Sequence, residues 1–381
     1  MVHRPQTTVH SQIGVLWSVD CGLWTESIQR QMTVMERILV VLPNWFGETL
    51  FTTPFLRALR SQAPQAWIAT LGWPQCREVL LHNPHVSERL EYDERGTHRS
   101  LSGKRRLIHL LRERRFDTAF ILRKSLSRSL LLVLAGVSAR IGWANVKSGW
   151  LLTRRVHMPC PPLHKATTYL PLLEAVGCSK PDGVRYDYFV SEEERRQARE
   201  LLRNVGAADG HPLAILHPGA NWFHKRWAPE RFAALGDRLA GDRLQIVITG
   251  GPDDCALAES IVQRMHQPAA VLAGHTSFRQ LGACLEQAQL VVSNDTGVAH
   301  IAAALARPLV ALYGPTSPAL TGPLSDPGRT TVLHHPGCCP SIPCYSPDRP
   351  PHAGMDSITV DEAYEAAKKL LEAGGSRLEA G

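Results

Sequence analysis

The sequence predicts an α/β protein of two doubly wound domains facing a central cleft. Short β-branched runs alternate with helical stretches from Arg37 onward, as in a parallel sheet covered by helices on both faces. The alternation pauses once, at "GCSKPDGVRYDYFVSEEE", where Pro181, Asp182 and Gly183 mark a turn. The length, 381 residues, exceeds one ordinary core but suits two domains of common size.

In the first half "RILVVLP" reads as a strand and "TLFTTPFLRALRSQAP" as a helix that ends before a proline. "AWIATLGW" is the next strand. "EVLLHNP" and "HLLRERR" have helical spacing, "FDTAFIL" reads as a strand, and "SRSLLLVLAGV" as a helix that stops at Gly136. In the second half the strands "LAILHPG", "LQIVITG", "AVLAG", "LVVSND" and "LVALYG" alternate with helices such as "APERFAALGDRLAG" and "SFRQLGACLEQA". An irregular Pro- and His-rich stretch follows, then the amphipathic "TVDEAYEAAKKLLEAG". The expected division is a disordered leader over 1–36, a first domain over 37–180 and a linker over 181–190. A second domain over 191–357, a final helix over 358–374 and a tail over 375–381 complete it. Met32 and Met35 are alternative starts, because patterned structure begins only at Arg37.

Composition excludes several classes. No charge-free apolar run reaches about 18 residues, so no membrane-spanning helix is expected. The first residues lack the pattern of a secretory signal. The nine cysteines are scattered, unlike a disulfide framework, and a reducing cytoplasm fits them. The cluster Cys338, Cys339 and Cys344 lacks the paired spacing and fourth ligand of a zinc site and reads as a Pro-rich surface loop; no metal and no cofactor are expected. Net charge is +7, and between Arg95 and Arg128 there are 11 Lys or Arg against Glu113 and Asp117 alone. Without interleaved aromatics this is either a solvated helix face or a site for a phosphorylated or acidic ligand, not a nucleic-acid track.

In open α/β sheets ligands bind beyond the carboxyl ends of the strands, so the loops there are the place to look. G-x-G-x-x-G and the P-loop pattern are both absent. "SNDTGVAHIAAA" follows a strand, and Asp295 or Thr296 can cap the helix that begins there. Alternatively Gly297 admits a ligand close to the backbone, where free N–H groups and the helix dipole favour a phosphate. His300, one turn in, is either a core residue or a second contact. "LHPGANWFHKRWAPERF" places Asn221, His224, Lys225 and Arg226 on a loop after another strand, and Lys225 there could neutralise a departing pyrophosphate. In "LPNWFGETLF" Glu48 either takes a proton from an attacking hydroxyl or caps a helix running from Thr49.

Together "RILVVLPNWFGETLFTTPFLRALR", "LRKSLSRSLLLVLAGVSARIGW", "LHPGANWFHKRWAPERFAALGDRL" and "SNDTGVAHIAAALARPLVALYGPTSP" resemble the heptosyltransferases of glycosyltransferase family 9, in the same order over roughly Arg37 to Leu371. The resemblance implies a GT-B fold of two Rossmann-like domains, the first for a lipopolysaccharide core acceptor and the second for ADP-heptose, with inverting transfer. It implies Lys225 as a phosphate-binding catalytic lysine, and Asp295, Thr296, Gly297 and His300 as the donor loop and its helix. Asn221 is implied as a phosphate contact and Asp253, in "TGGPDD", as a ribose contact. Arg123, Lys124 and Arg128, after the strand "FDTAFIL", are the acceptor-binding candidates. The family's base is an aspartate after the glycine of the first loop; here Glu48 follows Gly47. Where the type II pattern often has a cysteine before the final helix, this sequence has Gly354. A monomer in the cytoplasm with a peripheral contact to the inner membrane is expected. The alternatives are a family 9 enzyme with another sugar nucleotide or acceptor, and a non-catalytic sugar-nucleotide or glycan binder.

Overall fold

A computed structural model describes residues 35–378 except 180, 182, 208–209, 327, 339–341 and 345–352. Two six-stranded, all-parallel sheets organise it. The first contains β1 (Arg37–Val41), β2 (Trp67–Gly72), β3 (Glu88–Glu91), β4 (Thr118–Ile121), β5 (Ala139–Trp143) and β6 (Arg154–Val156), in the order β3-β2-β1-β4-β5-β6. The second contains β7 (Leu213–His217), β8 (Gln245–Ile248), β9 (Ala269–Val271), β10 (Leu290–Asn294), β11 (Leu309–Tyr313) and β12 (Thr330–His334), in the order β12-β11-β10-β7-β8-β9. Counted from the first strand of each half, both orders are 3-2-1-4-5-6. Each sheet therefore reverses between its first and fourth strands, and a crevice opens there.

The central strands are buried on both faces, which is why they read as continuous apolar runs. β7, β10 and β11 are buried at every position, and β1 at all but Arg37. The edge strands β3, β6, β9 and β12 are half-buried. Three of these edges, β3, β6 and β12, and also β5, carry no long apolar run, and the expected strand set lacks all four. The expected helix at "EVLLHNP" ends early: the helix is Pro74–Val79, and the chain then turns into β3.

One hydrophobic cluster runs across both halves. It joins Leu50, Phe51 and Phe55 of the first to Tyr186 and Tyr188 of the connecting segment and to Val298, Ala299 and Tyr313 of the second. A separate cluster seats the last helix, Val360–Leu378, on the second sheet through Leu370, Ile358, Phe232 and Trp227. The seam between the halves is aromatic. Phe46 stacks on Phe278 with centroids 4.3 Å apart, and Phe51 meets the His300 ring edge-on at 4.8 Å. Polar ties cross it too: Arg279 donates to the Glu78 carbonyl at 3.3 Å, and His164 Nε2 lies 3.0 Å from the Gly322 carbonyl. No helix among the described residues is long and apolar enough to cross a membrane.

Candidate functional site

The loops after β1, β4, β7 and β10 all leave the sheets at the two reversal points, and they carry most of the residues singled out in the sequence. After β7 the chain is pinned from several sides. The Trp227 indole is 1% exposed and donates to the Ile358 carbonyl at 3.0 Å. Asn294 donates to the Pro218 carbonyl at 2.7 Å, and Arg226 bridges the Ala220 carbonyl and Asp254. Gly219 packs so tightly on Asp254 that a β-carbon there would fall 2.3 Å from its Oδ2.

This scaffold turns Lys225 across to β10, where its ammonium lies 2.6 Å from Asp295 Oδ2. Thr316, on the loop after β11, donates to the same oxygen at 2.5 Å. Burial alone would raise the Asp295 pKa. The Lys225 charge and the two hydrogen bonds outweigh it and hold the carboxyl below the usual range. Asp295 is thus an anion that fixes a lysine at the mouth of the helix Gly297–Ala304. Thr296 caps that helix, accepting from Val298 N at 3.2 Å. The other N–H groups of a first helical turn have no intrahelical partner.

His300 lies deeper, 4% exposed, between Phe51 and Tyr186, and its Nδ1 has no partner. Burial, only partly opposed by Asp295, pulls its pKa down to about 4, so the ring is neutral near pH 7. Asn221 is exposed on the β7 loop, and Asp253 is exposed in the short 3-10 turn after β8. Asp254 beside it makes the structural bonds, including one from Gly251 N.

In the first half Glu48 sits within the helix Phe46–Leu50, half-buried. That helix has no side-chain cap, so the capping alternative has no support in the structure. Among the described residues no hydrogen bond or ion pair holds the Glu48 carboxylate. Its charge is felt by its neighbours: burial and then Glu48 push the Tyr169 phenol up. The helix that carries Glu48 packs against Gly297–Ala304 across the seam.

Arg123 and Lys124 are exposed after β4, as a surface contact requires. Arg128 is not placed with them. It is 1% exposed, donating to the Leu42 carbonyl at 2.6 Å and to Asn44 Oδ1 at 2.5 Å, with Glu94 at 3.5 Å. Its guanidinium holds the loop that leads into the Glu48 helix. Thr316, Asp254 and Asn294 did not stand out in the sequence: Thr316 and Asn294 act through partners far away in the chain, and Asp254 through the distant Arg226 as well as the nearby Gly251. Cys339 lies outside the described residues, as does the Cys338 side chain. Cys344 is a free thiol, and no group of three His, Cys, Asp or Glu among the described residues could hold a metal.

Two parallel six-stranded sheets, each reversing between its first and fourth strands and meeting along one seam, with a lysine held at a helix N-terminus there, define a GT-B protein. The match to known proteins is direct: residues 104–345 fit the model of glycosyltransferase family 9 (heptosyltransferase), and the chain belongs to that family and is a glycosyltransferase. It is 31% identical over 310 residues to lipopolysaccharide heptosyltransferase 2 of Salmonella typhimurium, covering 78% of this chain and 88% of that one. Among solved structures, a family 9 glycosyl transferase from Veillonella parvula matches with a TM-score of 0.80 at 26% identity, covering 89% and 97% of the two chains. The ADP-heptose heptosyltransferase II of E. coli matches with a TM-score of 0.75 at 28% identity, covering 89% and 99%.

Proposed function

We propose that the chain transfers heptose from ADP-heptose to the inner core of lipopolysaccharide with inversion at the anomeric carbon. The relatives' names supply the substrates, and the Lys225–Asp295 pair at the start of Gly297–Ala304 is the observation that carries the reading. The second half holds the donor, its diphosphate against Lys225, the helix N-terminus and Asn221, with Asp253 toward the ribose. The first half holds the acceptor, a heptose- or Kdo-bearing lipid, with Arg123 and Lys124 on its acidic groups. Glu48 takes the proton from the acceptor hydroxyl, and that oxygen attacks the anomeric carbon. The bond from that carbon to the diphosphate breaks, and the charge left on ADP is met by Lys225 and the helix. The reaction takes place on the cytoplasmic face of the inner membrane.

Purified protein given ADP-heptose and a truncated core acceptor should release ADP and lengthen the acceptor by one heptose. Turnover with a different sugar nucleotide and none with ADP-heptose would replace the donor assignment and keep the fold's division of labour.

A further inference from the structure

The helix Leu126–Leu134 leads out of the β4 loop that carries Arg123 and Lys124. Leu131 and Leu132 face the core, but Leu126, Leu130, Val133 and Leu134 are 48%, 43%, 37% and 45% exposed. At about 100° per residue these four fall in one arc roughly 100° wide, a continuous apolar stripe where a solvent-facing helix is normally polar.

The borders of the stripe carry mostly positive charge, the acid at its start, Glu94, being held by Ser127 and Arg128. On one side Arg112 of the helix Leu101–Glu113 donates to the Leu134 carbonyl at 2.9 Å, which fixes the face of that helix lying alongside. Leu101, Arg105 and Ile108 share that face by three- and four-residue spacing, and Leu101 and Arg105 are exposed. The turn Gly149–Leu151 also packs against the stripe helix and carries Trp150, 66% exposed, a few residues after the exposed Val146 and Lys147. Arg123 and Lys124 stand at its start. The nearby Glu113 lies 3.2 Å from His109.

We propose that this face docks on an anionic phospholipid bilayer. Leucines and a tryptophan that enter the boundary of the acyl region, ringed by Lys and Arg for the headgroups, are the composition of a surface that lies on such a membrane. A symmetric contact with a second copy would instead bring the same cations together. The docking rests on the reading of the acceptor as lipid-anchored and deepens it. The stripe starts where the β4 loop ends, so a bilayer against it lies beside Arg123 and Lys124, at the mouth of the first half's crevice.

The test uses the full chain and sedimentation with vesicles of phosphatidylglycerol or of phosphatidylcholine. Wild type should bind the former, release at high salt and bind the latter weakly. The double variant Leu130→Glu/Leu134→Glu should bind phosphatidylglycerol roughly 10-fold or more weakly, with unchanged melting and unchanged turnover on a deacylated, water-soluble core fragment. Lys147→Glu, which leaves the stripe intact, should also weaken binding. Wild type that ignores the anionic vesicles, or variants that bind them equally, overturns the proposal. So does a wild-type dimer that Leu130→Glu converts to monomer, which would assign the stripe to a second copy. Vesicle binding needs no sugar nucleotide, so a failed transferase assay leaves this result standing and brings down only the functional reading.

Discussion

The two crevices are built on the same strand order and treat charge in opposite ways. In the second half a cation and an anion meet at 2.6 Å, each fixing the other, with Thr316 as a third partner. In the first half the carboxylate of Glu48 has no partner among the described residues, and the cation Arg128 is turned inward onto a backbone carbonyl and Asn44. The difference matches the two chemical tasks. In the proposed reaction the diphosphate is anionic from the start and gains charge as it leaves, so its site gains from being preorganised. A base must accept a proton, and a permanent ion pair would lower its basicity.

Removing the basicity of Glu48 is the largest break in that comparison. Glu48→Gln keeps the shape, so turnover should fall on the order of 10²- to 10⁴-fold while ADP-heptose affinity, read by calorimetry, stays as it was. A Gln variant as active as wild type would move the base elsewhere. Next comes Lys225→Ala, with an expected loss of turnover on the order of 10²-fold. It also leaves the nearly buried Asp295 without its cation, so melting should fall; Lys225→Ala/Asp295→Asn should recover the melting temperature but not the rate. Recovery of both would make the pair merely structural.

The smallest effect sharpens the seam. His300 is neutral and buried with its pKa pulled down from 6.5 to about 4, so between those values the unfolded chain binds a proton that the folded chain does not. Stability present above pH 6.5 should therefore drain as pH falls toward 4, at up to about 1.4 kcal/mol per pH unit from this group. His217 adds a like contribution. Denaturant titrations of wild type and His300→Gln over that range should differ by one proton's slope; parallel curves would show that the ring titrates normally.

Much of this was legible in the sequence for a physical reason. Strands buried on both faces must be apolar throughout, so β1, β7, β10 and β11 declared themselves, and the loops that follow them carried Glu48, Lys225 and Asp295. β3, β5, β6 and β12 did not, because "ERLE", "ARIGW", "RRV" and "TTVLH" owe their strand form to a neighbour's hydrogen bonds rather than to their own pattern. At the site, the chemical type of Lys225 and Asp295 was readable but not their pairing, which joins two loops from different strands. Arg128 shows the opposite limit. A basic segment looks alike whether its side chains meet solvent or, as here, one of them is folded under a loop.

Gly297 has a bearing on how this chain can change. A β-carbon at that position would sit 3.3 Å from the Phe46 ring, closer than a comfortable contact, and Phe46 belongs to the other half of the molecule and stacks on Phe278. The start of the helix in the second half is therefore kept bare by the first half as well as by any ligand. A side chain at 297 asks the ring at 46 to give way by a few tenths of an ångström, against its stacking on Phe278. Positions 46 and 297 are bound into a shared history: a substitution at either one alters which substitutions the other can accept, although each lies in a separate sheet's crevice.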